Sequence, residues 1–192
     1  YDGSRRAGTV GMPLPGIEIK VCDPETGKTL PHGDIGVVEV RGPNVFQGYW
    51  RMPEKTASEL RADGFFITGD LGVMDDQGYL SIVGRGKDLI ISGGYNIYPK
   101  EIELLLDDQP GVMESAVIGA PHADLSEAPV GVLVAQVDAT LDLEAIKTAL
   151  AGSLARFKCP RELVVIDELP RNAMGKVQKN LLREQYADVF TC

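Results

Sequence analysis

Residues 84–103 have the sequence GRGKDLIISGGYNIYPKEIE, and this one stretch contains most of the local signals that decide the fold. A polar segment at 84–88 is followed by an apolar strand at 89–92 and then by two glycines, which permit positive φ and a close approach of the backbone. Pro99 stands where a first helical residue is expected. The stretch therefore predicts a domain that opens with a strand, a tight turn and a helix.

Beyond this stretch the sequence alternates between strands and amphipathic helices. In the helix that begins at Pro99, Ile102, Leu105 and Leu106 share one face. Residues 110–111, Pro-Gly, end that helix. The further elements predicted downstream are strands at 115–118, 130–137 and 163–166 and helices at 143–154 and 178–186. This order predicts a compact α+β domain over residues 87–192.

Residues 1–86 are predicted to form short strands separated by Gly, Pro and Asp turns. Ile17, Ile19 and Val21 alternate with polar neighbours, which is the pattern of a half-buried strand. The other elements predicted here are strands at 36–41, 65–68 and 79–83, a helix at 53–60 and a hairpin turn at 75–78. We expect a small β-barrel-like subdomain or a distorted sheet, with the domain boundary at residues 85–88.

Composition narrows the classes of function. The chain has 192 residues, 44% hydrophobic content and a formal charge of −9, which fits a soluble globular protein of one or two domains and not a general nucleic-acid or membrane binder. Cys22, Cys159 and Cys192 form no paired motif, so we expect free thiols, no zinc site and a cytoplasmic location. The chain starts without Met, and we expect it to be cut from a longer protein.

Three segments carry candidate chemistry. Residues 66–70, FITGD, place Asp70 after a strand, where a carboxylate can accept hydrogen bonds from both hydroxyls of a ribose; a turn-capping role is an equal alternative. In residues 169–179, LPRNAMGKVQK, the proline and glycine predict a mobile loop that carries Lys176 into a site, although a lone loop lysine is usually a solvated charge. Residues 36–42, GVVEVRG, are by themselves best interpreted as a structural strand.

In this order and spacing the segments resemble the adenylate-forming superfamily of acyl- and aryl-CoA synthetases, peptide-synthetase adenylation domains and beetle luciferases. The resemblance covers essentially the whole chain. Residues 93–101, GGYNIYPKE, look like an acyl-CoA synthetase, and residues 43–46, 52–56 and 170–180 narrow the resemblance towards malonyl-CoA synthetases. It implies that residues 1–86 end a large N-terminal domain and that residues 87–192 form a mobile α+β lid.

The same resemblance implies roles for individual residues. Those implicated are Asp70 for the ATP ribose, Arg85 for ribose and phosphate, Lys87 as the hinge, Gly93, Gly94 and Tyr95 along the CoA channel, and Lys176 as the catalytic lysine of adenylation. At Asn96 the chain departs from acetyl-CoA synthetases, which have a phosphate-contacting arginine there, so we expect that contact to be missing.

The implied reaction uses ATP, Mg²⁺ and CoA. A carboxylic acid, here malonate, first forms an acyl-adenylate and pyrophosphate, and the CoA thiol then displaces AMP to give malonyl-CoA. The implied phosphate loop and acid pocket lie upstream of Tyr1, so the N-terminal domain is an expected partner and the isolated chain is expected to be inactive. The alternatives are a non-catalytic fragment that a protein lysine acetyltransferase modifies, another acyl- or aryl-CoA ligase, or a luciferase-like or peptide-synthetase domain.

Overall fold

The computed structural model describes residues 5–191, and the chain divides into two compact units between Lys87 and Asp88. The division falls inside the polar stretch at 85–88. That the first unit ends a larger domain and that the second is a mobile lid stay predictions. The two units are described separately below.

The first unit is built on an antiparallel sheet whose four strands are paired in chain order. Its elements are β1 (Glu18–Cys22), β2 (Ile35–Arg41), α1 (Pro53–Glu59), β3 (Phe66–Met74) and β4 (Leu80–Arg85). Val21, Val38 and Leu80 form its buried apolar cluster. The pairing shifts register within both β2–β3 and β3–β4. Among the described residues this sheet is open, so the distorted sheet is correct and the closed barrel is not.

Strand β3 is longer than predicted. The sequence placed Asp70 on a turn after a strand ending at Thr68, whereas the structure continues the strand to Met74 and places Asp70 inside it. Gly69, which suggested a turn, instead adopts φ +74° within the strand, and Gly72 lies where the register shifts. The predicted hairpin turn is confirmed at 75–78, where the N–H of Gly78 donates to the carbonyl of Asp75 at 2.9 Å.

The second unit contains a five-stranded sheet with the order β6-β5-β8-β7, and β9 pairs in parallel with β8. Its elements are β5 (Ile90–Ser92), β6 (Tyr95–Ile97), α2 (Pro99–Asp107), β7 (Val112–His122), β8 (Ser126–Ala135), α3 (Leu143–Ser153), β9 (Glu162–Ile166) and α4 (Lys179–Gln185). The α+β class is confirmed. Strand β6 was not predicted, and β8 ends at Ala135, which leaves Val137 89% exposed.

The sheet of the second unit is covered on both faces. Successive residues of a strand point to opposite faces, and in β7 Val117 joins one buried cluster while Ile118 joins the other. The first cluster includes Ile102 of α2, as the apolar face of that helix predicted, and the second includes Leu182 of α4. Within residues 5–191 no helix is long and apolar enough to cross a bilayer.

Candidate functional site

Strand pairing brings Asp70 and Arg85 together. They are partners in the β3–β4 register, and Nε of Arg85 lies 3.0 Å from Oδ1 of Asp70. Nη1 of Arg85 also donates to the carbonyl of Thr68 at 3.1 Å. The Asp70 side chain is partly exposed and the Arg85 side chain is half exposed. The pair therefore lies at a surface where a ligand can reach both groups.

Thr68 fixes the backbone that carries the Asp70 carboxylate. Its hydroxyl donates to the carbonyl of Val38 at 2.8 Å and accepts from the N–H of Asp70 at 3.1 Å. Oδ1 of Asp70 already pairs with Arg85, but a carboxylate has more acceptor positions than this one contact uses. The remaining positions are available to hydroxyl groups such as those of a ribose.

Gly93 and Gly94 form the two-residue turn between β5 and β6. Their φ angles are +57° and +83°, and Ser92 pairs with Tyr95 across the turn. Positive φ at both central positions is the hairpin geometry that glycine favours. A Cβ on Gly94 would meet nothing within 4 Å, whereas one on Gly93 would lie 3.3 Å from Leu125 Cδ2. The backbone at Gly94 is thus open to the surroundings.

Two aromatic rings lie beside this turn. Tyr95 is 58% exposed and stacks on Phe157, with ring centroids 4.6 Å apart and an interplanar angle of 26°. The adjacent Lys158 pairs with Glu101 at 2.8 Å. Sequence reasoning did not single out Phe157 or Lys158. The only signal was an aromatic next to a lysine in a short segment, and such segments are common.

Lys176 lies in a hydrogen-bonded turn instead of an irregular loop. The side-chain oxygen of Asn172 accepts from the N–H groups of Met174 and Lys176, both at 3.0 Å, and Gly175 adopts φ +76°. Arg171 donates to the carbonyl of Gly175 at 2.7 Å. The Lys176 side chain is exposed and forms no ion pair with the described residues. Its ammonium is therefore held out to solvent on a defined backbone.

Lys87 is exposed and lies in a short 3₁₀ turn, Gly86–Asp88, next to the division between the units. The following residue, Asp88, pairs with Arg183 of α4 at 2.7 Å. The chain is thus anchored in the second unit directly after Lys87. These contacts leave the hinge role of Lys87 a prediction.

Within residues 5–191 no three His, Cys, Asp or Glu side chains converge on a point that could hold a metal ion. Magnesium that accompanies a nucleotide needs only one or two carboxylates together with phosphate oxygens and water, and the expectation of Mg²⁺ stays a prediction. Burial raises the pKa of the Cys159 thiol above its ordinary value, which disfavours the thiolate at neutral pH.

Comparison with known protein families identifies the family to which this chain belongs. Residues 1–50 match the family model described as AMP-binding enzyme, and residues 101–176 match the one described as AMP-binding enzyme C-terminal domain. The two matches occur in the chain order that the adenylate-forming architecture requires. The chain belongs to the AMP-binding, adenylate-forming enzyme family.

Individual relatives show what this chain is similar to. It is 60% identical to ATP-bound MatB from Rhodopseudomonas palustris, with a TM-score of 0.94 over 99% of this chain and 38% of that one. It is 42% identical to indoleacetate–CoA ligase from Aromatoleum aromaticum over 97% of this chain and 36% of that protein. The amide bond synthetase McbA from Marinactinospora thermotolerans is 36% identical, with a TM-score of 0.87 over 93% of this chain and 36% of that one. The chain thus spans little more than a third of these relatives.

Proposed function

We propose that this chain is the C-terminal part of an AMP-forming acid–thiol ligase and that its full-length protein makes an acyl-CoA from a carboxylic acid, ATP and CoA. The observation that carries the proposal is the Asp70–Arg85 pair, which is partly exposed, in register and has acceptor capacity beyond the ion pair, within a chain that matches the AMP-binding family. The full-length protein consists of this chain and the N-terminal domain that is expected upstream of it.

In the first half-reaction an oxygen of the substrate carboxylate attacks the α-phosphorus of ATP. The bond from that phosphorus to the bridging oxygen breaks, and its electron pair leaves with pyrophosphate. We assign Asp70 to the ribose hydroxyls, Arg85 to ribose and phosphate, and Lys176 to the charge that develops on the α-phosphate, because a fixed cation lowers that barrier. Magnesium would neutralise phosphate charge when bound together with the nucleotide.

In the second half-reaction the CoA thiolate attacks the acyl carbonyl, and the bond to the AMP oxygen breaks. Gly93 and Gly94 suit a narrow passage because they present backbone without side chains, and the space above Gly94 is open. Tyr95 is the neighbouring exposed surface. We assign these three residues to the CoA channel and Lys87 to the hinge between the adenylation and thioester-forming states.

We propose malonate as the acid. The support is the sequence resemblance to malonyl-CoA synthetases, together with an identity to MatB that exceeds the identity to the indoleacetate ligase. The test compares kcat/KM of the full-length protein for malonate, methylmalonate, acetate, benzoate, indoleacetate and a long-chain fatty acid. We expect malonate or methylmalonate to lead. If a monocarboxylate has the highest kcat/KM, the malonate proposal is refuted, while the proposal that the protein is an acid–thiol ligase stands.

The similarity to an amide bond synthetase favours a second candidate, in which an amine and not CoA captures the acyl-adenylate. The two candidates differ in the second nucleophile alone. The full-length protein is therefore supplied with preformed acyl-adenylate and equal concentrations of CoA and an amine, and the products are quantified. Thioester as the main product supports the CoA ligase, and amide as the main product supports the alternative.

Lys176 is also a candidate site of regulation. It is exposed at the end of a defined turn, so a protein lysine acetyltransferase can reach it, and acetylation would remove its charge. We propose that acetylation stops adenylation, that the isolated chain is inactive but still a modification substrate, and that the full-length protein acts in the cytoplasm. Mass spectrometry after treatment with an acetyltransferase, combined with assays before and after deacetylation, tests the first two points. Modification elsewhere with activity unchanged would refute the regulatory role.

A further inference from the structure

The second unit contains a buried ion pair that the proposed mechanism does not use. Glu103 of α2 and Lys179 of α4 lie with Oε1 and Nζ 2.5 Å apart, and their side chains are only 10% and 17% exposed. The same Oε1 accepts the N–H of Val117 on β7 at 3.0 Å. One carboxylate oxygen thus joins α2, β7 and α4.

Stability alone is a weak reason for such a pair. The cost of desolvating two charges largely cancels their attraction, and apolar replacements of similar volume are often neutral or stabilising. Lys179 is also the first residue of its helix, where the helix dipole disfavours a positive charge. A role in positioning helix α4 explains this ion pair better than a contribution to the free energy of unfolding does.

Helix α4 depends on such contacts for its position. It has seven residues and no side-chain hydrogen bond at its N-cap, and a helix this short is not stable by itself. Its anchors are Leu182, which is fully buried, the Asp88–Arg183 pair, and the Glu103–Lys179 pair at its first residue. Only the last of these fixes the end of the helix that joins the turn carrying Lys176.

Two residues, Val177 and Gln178, lie between Lys176 and the anchor at Lys179, and this segment is also tied to residues 170–171. The N–H of Gln178 donates to the carbonyl of Pro170 at 2.8 Å, and Val177 forms a bridge with Arg171. The segment therefore has little slack, and the position of Lys176 is set jointly by these ties and by the anchor at Lys179.

We propose that Glu103 is a positioning residue for Lys176 and acts through Lys179, which deepens the proposed function and rests on it. Glu103→Gln keeps an acceptor for Val117 but removes the charge that holds Lys179. A displacement of about 1 Å at a reacting group can cost about 100-fold in rate. We expect Glu103→Gln and Lys179→Met to slow acyl-adenylate formation about 10- to 100-fold.

The experiment uses full-length protein and measures pyrophosphate release and, separately, thioester formation from supplied acyl-adenylate and CoA. Glu103→Gln and Lys179→Met should slow pyrophosphate release and leave thioester formation within about twofold of the parent rate. Lys179→Arg keeps the positive charge, so pyrophosphate release in this variant should stay near the parent rate. Lys147→Met, at the surface pair with Glu144 on α3, is the matched control and should change neither. In a Lys176→Ala background, Glu103→Gln should cause no further loss.

The outcomes separate the inference from the function on which it rests. If Lys176→Ala leaves pyrophosphate release intact, the proposed role of Lys176 fails. If Lys176→Ala abolishes it while Glu103→Gln and Lys179→Met do not slow it, only the positioning role is overturned. Equal slowing of both half-reactions, or a further loss in the Lys176→Ala background, shows that the pair acts through general stability and also overturns the inference.

Discussion

Replacing Lys176 and Gly94 one at a time should separate the two half-reactions. The Lys176 side chain is exposed and forms no ion pair within residues 5–191, so Lys176→Ala should change the free energy of unfolding by less than about 0.5 kcal/mol. Loss of a charge contact made in the transition state costs about 2.7–4 kcal/mol, or about 10²- to 10³-fold in rate. Acyl-adenylate formation should therefore fall by that factor, while thioester formation from supplied acyl-adenylate persists.

Gly94→Leu should retain acyl-adenylate formation and lose thioester formation. Its φ of +83° puts a side chain into the left-handed region at a cost of about 1–2 kcal/mol, and no atom lies within 4 Å of the new Cβ to add a clash. The protein should therefore still fold and form acyl-adenylate, while the leucine side chain blocks thioester formation. Gly78→Leu is a matched control, because Gly78 also has φ +83° and open space but lies in the β3–β4 turn.

The assays are single-turnover pyrophosphate release and, separately, thioester formation from supplied acyl-adenylate and CoA. Lys147→Ala serves as the control for loss of a surface lysine. If Lys176→Ala and Gly94→Leu slow both half-reactions equally, they act through stability and the division of roles is refuted. The same conclusion follows if Gly78→Leu impairs thioester formation as much as Gly94→Leu does.

Two further substitutions address the first unit. Asp70→Asn should raise the KM for ATP about 10- to 100-fold, because hydrogen bonds to a charged group are worth about 1.5–3 kcal/mol; an unchanged KM, measured by pyrophosphate release, would contradict the ribose role. Asp75→Asn, the same change in the nearby turn, should leave that KM unaltered. The N–H of Tyr79, and secondarily that of Gln77, lowers the pKa of the Asp75 carboxyl. The stability that the ionised Asp75 gives to the turn is therefore fully present above the unfolded pKa of about 3.9 and is lost as the pH falls through the lower folded pKa. The amides of Gln77 and Tyr79 should therefore exchange faster in Asp75→Asn than in the parent at pH 6, and the ratio should fall towards one as the pH is lowered below about 3.9; a ratio independent of pH would contradict this account.

Local signals were sufficient for most of the secondary structure. Pro53 and Pro99 do begin helices, and the turn at 75–78 forms as predicted. The failures are at positions where pairing overrides local preference. Gly69 indicated a turn at Asp70, yet strand pairing with β2 and β4 carries β3 through it. Strand β6 has only three residues, too few for a period to show, and it exists because β5 lies beside it.

The side-chain environment of Asp70 could be predicted only in part. The resemblance assigned both Asp70 and Arg85 to the ribose, but the direct ion pair between them depends on the register of two strands, which no local pattern shows. Glu39 shows the same limit. Residues 36–42 were interpreted only as a structural strand, and the Glu39 side chain within them is fully buried between Lys20 and Arg61. Its ion pairs come from another strand and from a loop, and no local pattern signals them.

The distribution of cations explains how a chain with a net charge of −9 can serve anionic ligands. Many of its basic side chains are engaged within the fold: Lys20 and Arg61 on Glu39, Lys179 on Glu103, and Arg183 on Asp88. These pairs are largely buried, so they add little to the field at the surface. Arg85 shares an exposed carboxylate, and the Lys176 ammonium has no ion pair within residues 5–191. Under the proposed function, Arg85 and Lys176 supply the local positive charge that meets the phosphates of the nucleotide, although the chain as a whole is acidic.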